Sequence, residues 1–377
     1  MPFAKPFTLL AGAATLLALP AATQADDRVH VLASFSVLAD MVEQIGGDHV
    51  EVTSLVGPDS DAHVFTPRPT DARALSEADL VVFNGLQFEG WMSRLVEASG
   101  YAGPTVVATD GIEQTLGDAA HETKEPDEGH EDHEHGDHGH DEHGHDEHGH
   151  DEHGHDEHGH DEHGHDEHGH AGHDHAHGGL NPHSWLDLGL GELYVGNIRD
   201  ALIAADPAHE ATYRERAADY QTRIDALDAE VRSLMSELPE HTSVITGHQS
   251  FDHFSRAYGI DFLSPAGLST ATEPSATHMA RLIDVISDSD VHALFHENMT
   301  SPAMIEQLSE EADLPIAGTL YSGALAAEGE ASTWLGMMHH NAELLHGALA
   351  TDDAAHDHDH EHTDHEHTDH EHTDHEH

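Results

Sequence analysis

The chain has 377 residues, of which 74 are Asp or Glu and only 13 are Lys or Arg, giving a formal charge of −61. That balance excludes nucleic acid and anionic membrane surfaces as ready partners and favours cations, and the absence of cysteine excludes disulfides and thiolate metal sites. The length fits two lobes with appendages better than one small domain.

Residues 1–25 read as a secretory signal, with Lys5, the apolar run 7–19 and small residues around Gln24. The run is too short for a comfortable membrane span, so export from Asp26 onward is expected. Residues 26–187 are expected to form a first lobe. Apolar strands over 29–33, 50–56, 80–83 and 105–108 alternate with helical spacing over 37–45, 71–77 and 91–98, a βα series that predicts a parallel sheet flanked by helices.

Residues 117–179 break this pattern. They are rich in His, Asp, Glu and Gly, and Asp-Glu-His-Gly-His repeats six times over 141–170. The tail 351–377 is similar and ends in three Thr-Asp-His-Glu-His repeats. Neither segment has the apolar residues needed to offset ordering entropy, so both are expected to be disordered.

Linking helices are expected over 188–240. Among them, 207–238 carries Tyr213, Tyr220, Ile224, Leu227, Val231, Leu234 and Leu238 at helical spacing, as a long spine between two lobes would. The second lobe, 241–350, has expected strands at 244–246, 291–295 and 316–319. Its expected helices are 251–258, 275–286, 302–311 and 333–349, with Ser301 as N-cap and Pro302 in the first turn. The fold class is therefore α/β, two lobes with parallel-rich sheets joined by a long helix.

Three histidines stand apart from the repeats. His63 lies in GPDSDAHVFTPRPTD, His183 in LNPHSWLDL and His248 in VITGHQSFDHF. Each follows a strand or a stiff turn, at the loops where open α/β sheets place ligands. Singly each is more often structural; together they favour a metal site. His253 turns away from His248 on a helix, and His339, His340 and His346 fit a solvated face of the terminal helix.

The segments DAHVFTPRPTDARALSEADLVVFNGLQFEGWM, NPHSWLDL, TGHQSFDHFSRAYGID, FHENMTSPAMIEQLSEEADLPIAGTLY and WLGMMHHNAELL resemble the metal-specific solute-binding proteins of bacterial ABC importers, cluster A-I, and in particular their ZnuA-like zinc binders. The resemblance implies a periplasmic monomer of two α/β lobes joined by a rigid helix, with the metal between them and delivery to a permease in the inner membrane. It carries the metal ligands to His63, His183 and His248, and a histidine at the third position resembles the zinc binders rather than the manganese binders, which have glutamate there. Imidazole also suits Zn²⁺ on chemical grounds.

At the position of a fourth, carboxylate ligand in many relatives this chain has Gly323. Three sources remain: water, Glu328 or Glu330 from the nearby loop, or a histidine of the insert. Glu297 is expected to support the site from behind. The expectation is therefore a zinc-binding protein, not an enzyme, with the His-rich segments as accessory collectors and a periplasmic zinc chaperone as a further candidate partner. The alternatives are a binder of manganese or another divalent metal, and a zinc hydrolase with a His₃–water site, although the chain lacks an HExxH helix.

Overall fold

The structure, a computed structural model, describes residues 28–116 and 180–350 apart from Glu240, Glu273, Ser289 and Asp290. The expected signal, His-rich insert and His-rich tail lie outside the described residues. Of residues 111–180, which separate from the rest as their own unit, only 111–116 and 180 are described.

Two four-stranded parallel sheets organise the main body. The first contains β1 (Val29–Phe35), β2 (Val50–Val56), β3 (Leu80–Phe83) and β4 (Thr105–Val107) in the order β2-β1-β3-β4. The second contains β5 (Ser243–Ile245), β6 (Asp261–Leu263), β7 (Val291–Glu297) and β8 (Ile316–Leu320) in the order β6-β5-β7-β8. Central strands of a parallel sheet are covered on both faces and need apolar residues on both. β1 meets this need, with every residue but His30 buried.

Helices α1 (Ser36–Gly46), α2 (Pro69–Glu77) and α3 (Met92–Ser99) accompany the first sheet. Helices α6 (Asp252–Tyr258), α7 (Ala276–Asp288), α8 (Ala303–Ala312) and α9 (Trp334–Leu349) accompany the second. Leu282, Ile286, Ile305 and Leu308 pack on Ile245, Val291 and Leu294 as a separate small core. Met337, Met338 and Leu345 of α9 belong to the large core that runs through both sheets.

The expected spine is present as α5 (Glu210–Met235), preceded by α4 (Leu188–Ala205). Its buried stripe is Tyr213, Ala217, Tyr220, Ile224, Leu227, Val231 and Met235. Leu234 is only half-buried, because the 3.6-residue period carries the stripe from Val231 to Met235. Leu238 is buried beyond the helix end. Arg223 of α5 reaches Gln44 of α1 at 3.1 Å, and Arg232 reaches the Ala257 carbonyl of α6 at 2.8 Å. The helix therefore bonds to elements of both sheets, as a joining spine must.

Two local expectations differ from what is found. Helix α8 starts one residue later than expected: Pro302 is the N-cap residue, and Ser301 makes no capping bond. Strand β6 was not expected at all; it has three residues, none of them fully buried.

Candidate metal centre

The loop after β2 brings in His63. Its backbone N–H donates to Asp61 Oδ1 at 2.8 Å, and Trp91 Nε1 donates to the Ala62 carbonyl at 2.8 Å, fixing the loop from beneath. His183 comes in the stretch before α4 and uses the same local device: its N–H donates to Asn181 Oδ1 at 3.0 Å. Asx side chains taking a backbone N–H two residues on are a standard turn former. His248 follows β5, and its N–H donates to Glu297 Oε1 at 3.0 Å.

The three rings converge. His63 Nε2 lies 3.1 Å from His183 Nε2, which lies 3.2 Å from His248 Nε2. Tetrahedral Zn²⁺ at about 2.0–2.1 Å from each nitrogen would set such atoms about 3.3 Å apart.

The far side of one ring decides its tautomer. His183 Nδ1 is 2.8 Å from Asn181 Oδ1, which can only accept, so the ring proton sits on Nδ1 and the Nε2 lone pair points at the shared centre. His248 Nδ1 lies 2.6 Å from Glu297 Oε2 as an ion-pair contact. Ring nitrogens turned toward one another in a buried place make a cation-binding geometry.

Electrostatics point the same way. Burial, and then the neighbouring His248 ring, push His63 down to about 3, with Glu297 pulling weakly upward. His183 is held well below its ordinary value by burial and by the His248, His63 and His253 rings. Both are thus neutral at ordinary pH and free to bind metal. Burial alone would raise Glu297, but the His248 ring, its hydrogen bonds and the Ser322 hydroxyl at 2.6 Å outweigh it and hold the carboxylate below its usual range.

Among the described residues, no carboxylate joins this trio at ligand distance. Glu297 is 2 % exposed and stands behind His248. Glu328 is exposed. Glu330 is not near the trio as a fourth ligand: its Oε1 sits 2.7 Å from His339 Nδ1 on α9. A Cβ built on Gly323 would meet only Met299 Cε, at 2.8 Å, the far end of a flexible side chain.

His253 Nε2 donates to the Asn181 carbonyl at 2.8 Å and so braces the His183 turn. His339 and His346 meet carboxylates rather than open solvent, His346 Nε2 lying 3.0 Å from Glu237. Sequence reasoning missed Asn181 and Asp61, although the shared spacing in N-P-H and D-A-H was a readable signal for both. It also missed that the His63 loop is fastened to the second sheet's loops. Thr270 Oγ1 donates to Asp61 Oδ2 at 2.5 Å, and Asn298 Nδ2 donates to Asp59 Oδ1 at 3.0 Å.

Two parallel α/β sheets, a joining helix and a buried convergence of donor atoms from loops of both sheets define a solute-binding protein for a metal ion. The family model for ZnuA, the zinc-uptake complex component A periplasmic, matches residues 31–348, and the chain belongs to that family. It is a periplasmic metal-binding protein of the solute-binding class used by ABC importers and not an enzyme, which removes the hydrolase alternative.

Relatives differ in the metal they are named for. The manganese-binding lipoprotein MntA of Halalkalibacterium halodurans is 26% identical over 322 residues, 85% of this chain and 88% of its own. The iron ABC transporter substrate-binding lipoprotein MtsA of Streptococcus pyogenes serotype M1 is 25% identical over 336 residues, 87% of this chain and 91% of its own. Among solved structures, the periplasmic zinc-binding protein TroA from Treponema pallidum superimposes with a TM-score of 0.66 at 25% identity, covering 86% of this chain and 99% of that one.

Proposed function

We propose that the protein captures Zn²⁺ through His63, His183 and His248 and hands it to an ABC permease and its ATPase for import. The observation that carries this is the convergence of three imidazoles with no carboxylate at ligand distance among the described residues. Nitrogen-only donors suit Zn²⁺, whereas manganese sites draw on carboxylates and other oxygens. Water completes the tetrahedron where Gly323 offers no side chain, and Glu297 balances part of the ion's charge through His248. The His-rich insert and tail serve as weaker collectors that pass zinc inward.

Chelator competition on the full chain tests the site: one tightly held zinc is expected, and it is lost when all three histidines are replaced by alanine. Tight zinc persisting in that variant would rule the assignment out. The names of MntA and MtsA favour a second reading, in which manganese or iron is the cargo. Metal analysis of protein drawn from its own periplasm separates the two. Deleting residues 118–178 should slow zinc loading; an unchanged rate would remove the collector role.

A further inference from the structure

Cations are scarce in this chain, and most of its arginines already have partners. Arg28, Arg199, Arg214, Arg232 and Arg256 each pair with a carboxylate. Arg216 and Arg223 reach the Glu43 carbonyl and the Gln44 side chain of α1. Among the described residues, the guanidinium groups of Arg68, Arg73 and Arg94 have no carboxylate partner, although the chain carries 74 acidic residues.

Arg68 and Arg94 border one groove. Arg68 is the N-cap residue of α2 and Arg94 stands on α3. The groove between them has a volume of about 760 Å³, runs over Phe65, Trp91 and Leu95, and is lined by no Asp or Glu. Its floor is apolar and firm: Trp91 and Leu95 are each 3 % exposed, and the Phe65 ring meets Trp91 edge-on at 4.8 Å. Pro67 and Pro69 also line it. Proline has no N–H to offer an added strand, so recognition here rests on side chains rather than on backbone pairing.

The groove lies beside the loop that carries a metal ligand. Phe65 and Thr66 follow closely on His63, and the Trp91 indole donates to the carbonyl of Ala62, the residue before it. Pressure on this floor is therefore felt at the turn that presents His63.

Two guanidiniums without carboxylate partners over an apolar floor fit a segment with two carboxylates and an apolar side chain between them. The chain's own acidic stretch 351–377 has the charge, but Ala354 and Ala355 are its only apolar residues. An acidic segment from another protein is repelled by most of a surface whose formal charge is −61. A groove free of acid then decides where it lands and in which orientation.

We propose that this groove receives an acidic periplasmic loop of the membrane permease, with its carboxylates on Arg68 and Arg94 and an apolar side chain against Phe65. The proposal rests on the solute-binding class of the protein and on its delivery to a permease, and not on zinc as the cargo. Arrival of the partner at the groove brings it against the support of His63, so docking and unloading share one edge of the first sheet.

Purified permease with its ATPase in proteoliposomes, titrated with the metal-loaded full chain, tests this through the concentration that half-saturates ATP hydrolysis. The double variant Arg68→Glu, Arg94→Glu should need about tenfold more protein, and its response to added salt should be flatter than the parent's. Arg68→Lys, Arg94→Lys keeps the charges and should stay near the parent. Arg199→Glu, Arg214→Glu reverses as much charge elsewhere and should stay near it too. Chelator competition should give all of them the parent's metal affinity. Equal half-saturation in the parent and in Arg68→Glu, Arg94→Glu overturns the proposal, as does an equal rise in the Arg199→Glu, Arg214→Glu control. A lower value in Arg68→Glu, Arg94→Glu would mean that the chain's own acidic stretch occupies the groove, and overturns it as well. A parent chain that does not stimulate hydrolysis at all overturns the delivery reading together with this one.

Discussion

Glu89 and Glu297 occupy related places in the two sheets, near the C-terminal ends of β3 and β7, each the third strand in its sheet's order. Both are deeply buried, at 6 % and 2 % exposure. Glu89 accepts from Ser34 Oγ at 2.6 Å and from the N–H groups of Asn84 at 2.7 Å and Gly85 at 3.2 Å. Burial outweighs those bonds and raises its pKa. Glu297 has bonds of the same kind and an imidazole besides, and its pKa falls. Equal depth thus gives opposite tendencies, and the facing ring decides between them. One carboxylate pins a loop; the other orients a ring that we assign to the metal.

Removing His248 should convert the second case into the first. In His248→Ala the Glu297 carboxylate keeps its burial and loses its ring, so its pKa should rise. Breaking a buried pair in this way costs about 3–5 kcal/mol. Tight zinc binding should vanish with it, as in His183→Ala. Chelator competition and denaturant titration on the two variants measure both effects, and retained tight binding in either would contradict the ligand set.

Glu297→Gln keeps the shape and removes the charge. Its zinc affinity should fall about 10- to 100-fold, the usual cost of losing a partner behind a metal histidine. Affinity unchanged in a competition titration would make Glu297 a bystander.

Acid should sort the groups by sign. Unfolded histidines titrate near pH 6.5, whereas His63 in the folded protein does so at about 3 and His183 also lies well below. Between those limits the unfolded chain binds more protons, so the metal-free protein should lose stability as pH falls below about 6.5. Glu297, with its lowered pKa, adds to the loss only below the ordinary glutamate range of about 4.3. Glu89 runs the other way: its contribution is fully present in acid and declines as pH rises through its raised pKa. Denaturant titrations from pH 7.5 to 5 should show a shallower decline in a His63→Ala, His183→Ala double variant than in the parent; equal slopes would remove these rings as the cause.

The smallest effect is expected for Glu89→Gln. A neutral amide resembles the protonated acid that burial already favours, so stability near pH 7 should change little and zinc affinity should stay within about twofold. Competition titration and thermal melts check this, and a large affinity loss would place Glu89 in the metal's electrostatics.

Much of the fold was readable in the chain because parallel strands announce themselves as unbroken apolar runs, as in Leu80–Phe83, and long helices by their stripe. Strand β6 was not, since its half-buried Phe262 and Leu263 carry little signal. The histidine trio was readable from stiff turns after strands. The state of Glu297 was not, because it depends on a ring 49 residues away. Nor was the placement of Glu330, which follows from how closely its turn approaches Gly336 rather than from any local pattern.

Asp61 gives one oxygen to the His63 backbone and the other to Thr270 across the cleft. The stretch of chain that presents His63 is thus also the stretch that fastens the two halves. On the ligand set proposed above, parting the halves at this contact would draw His63 off the ion, which couples release to opening. Asp61 also sets the His63 turn, so Thr270→Ala is the variant that loosens the contact alone: it should shorten residence time more than it lowers affinity.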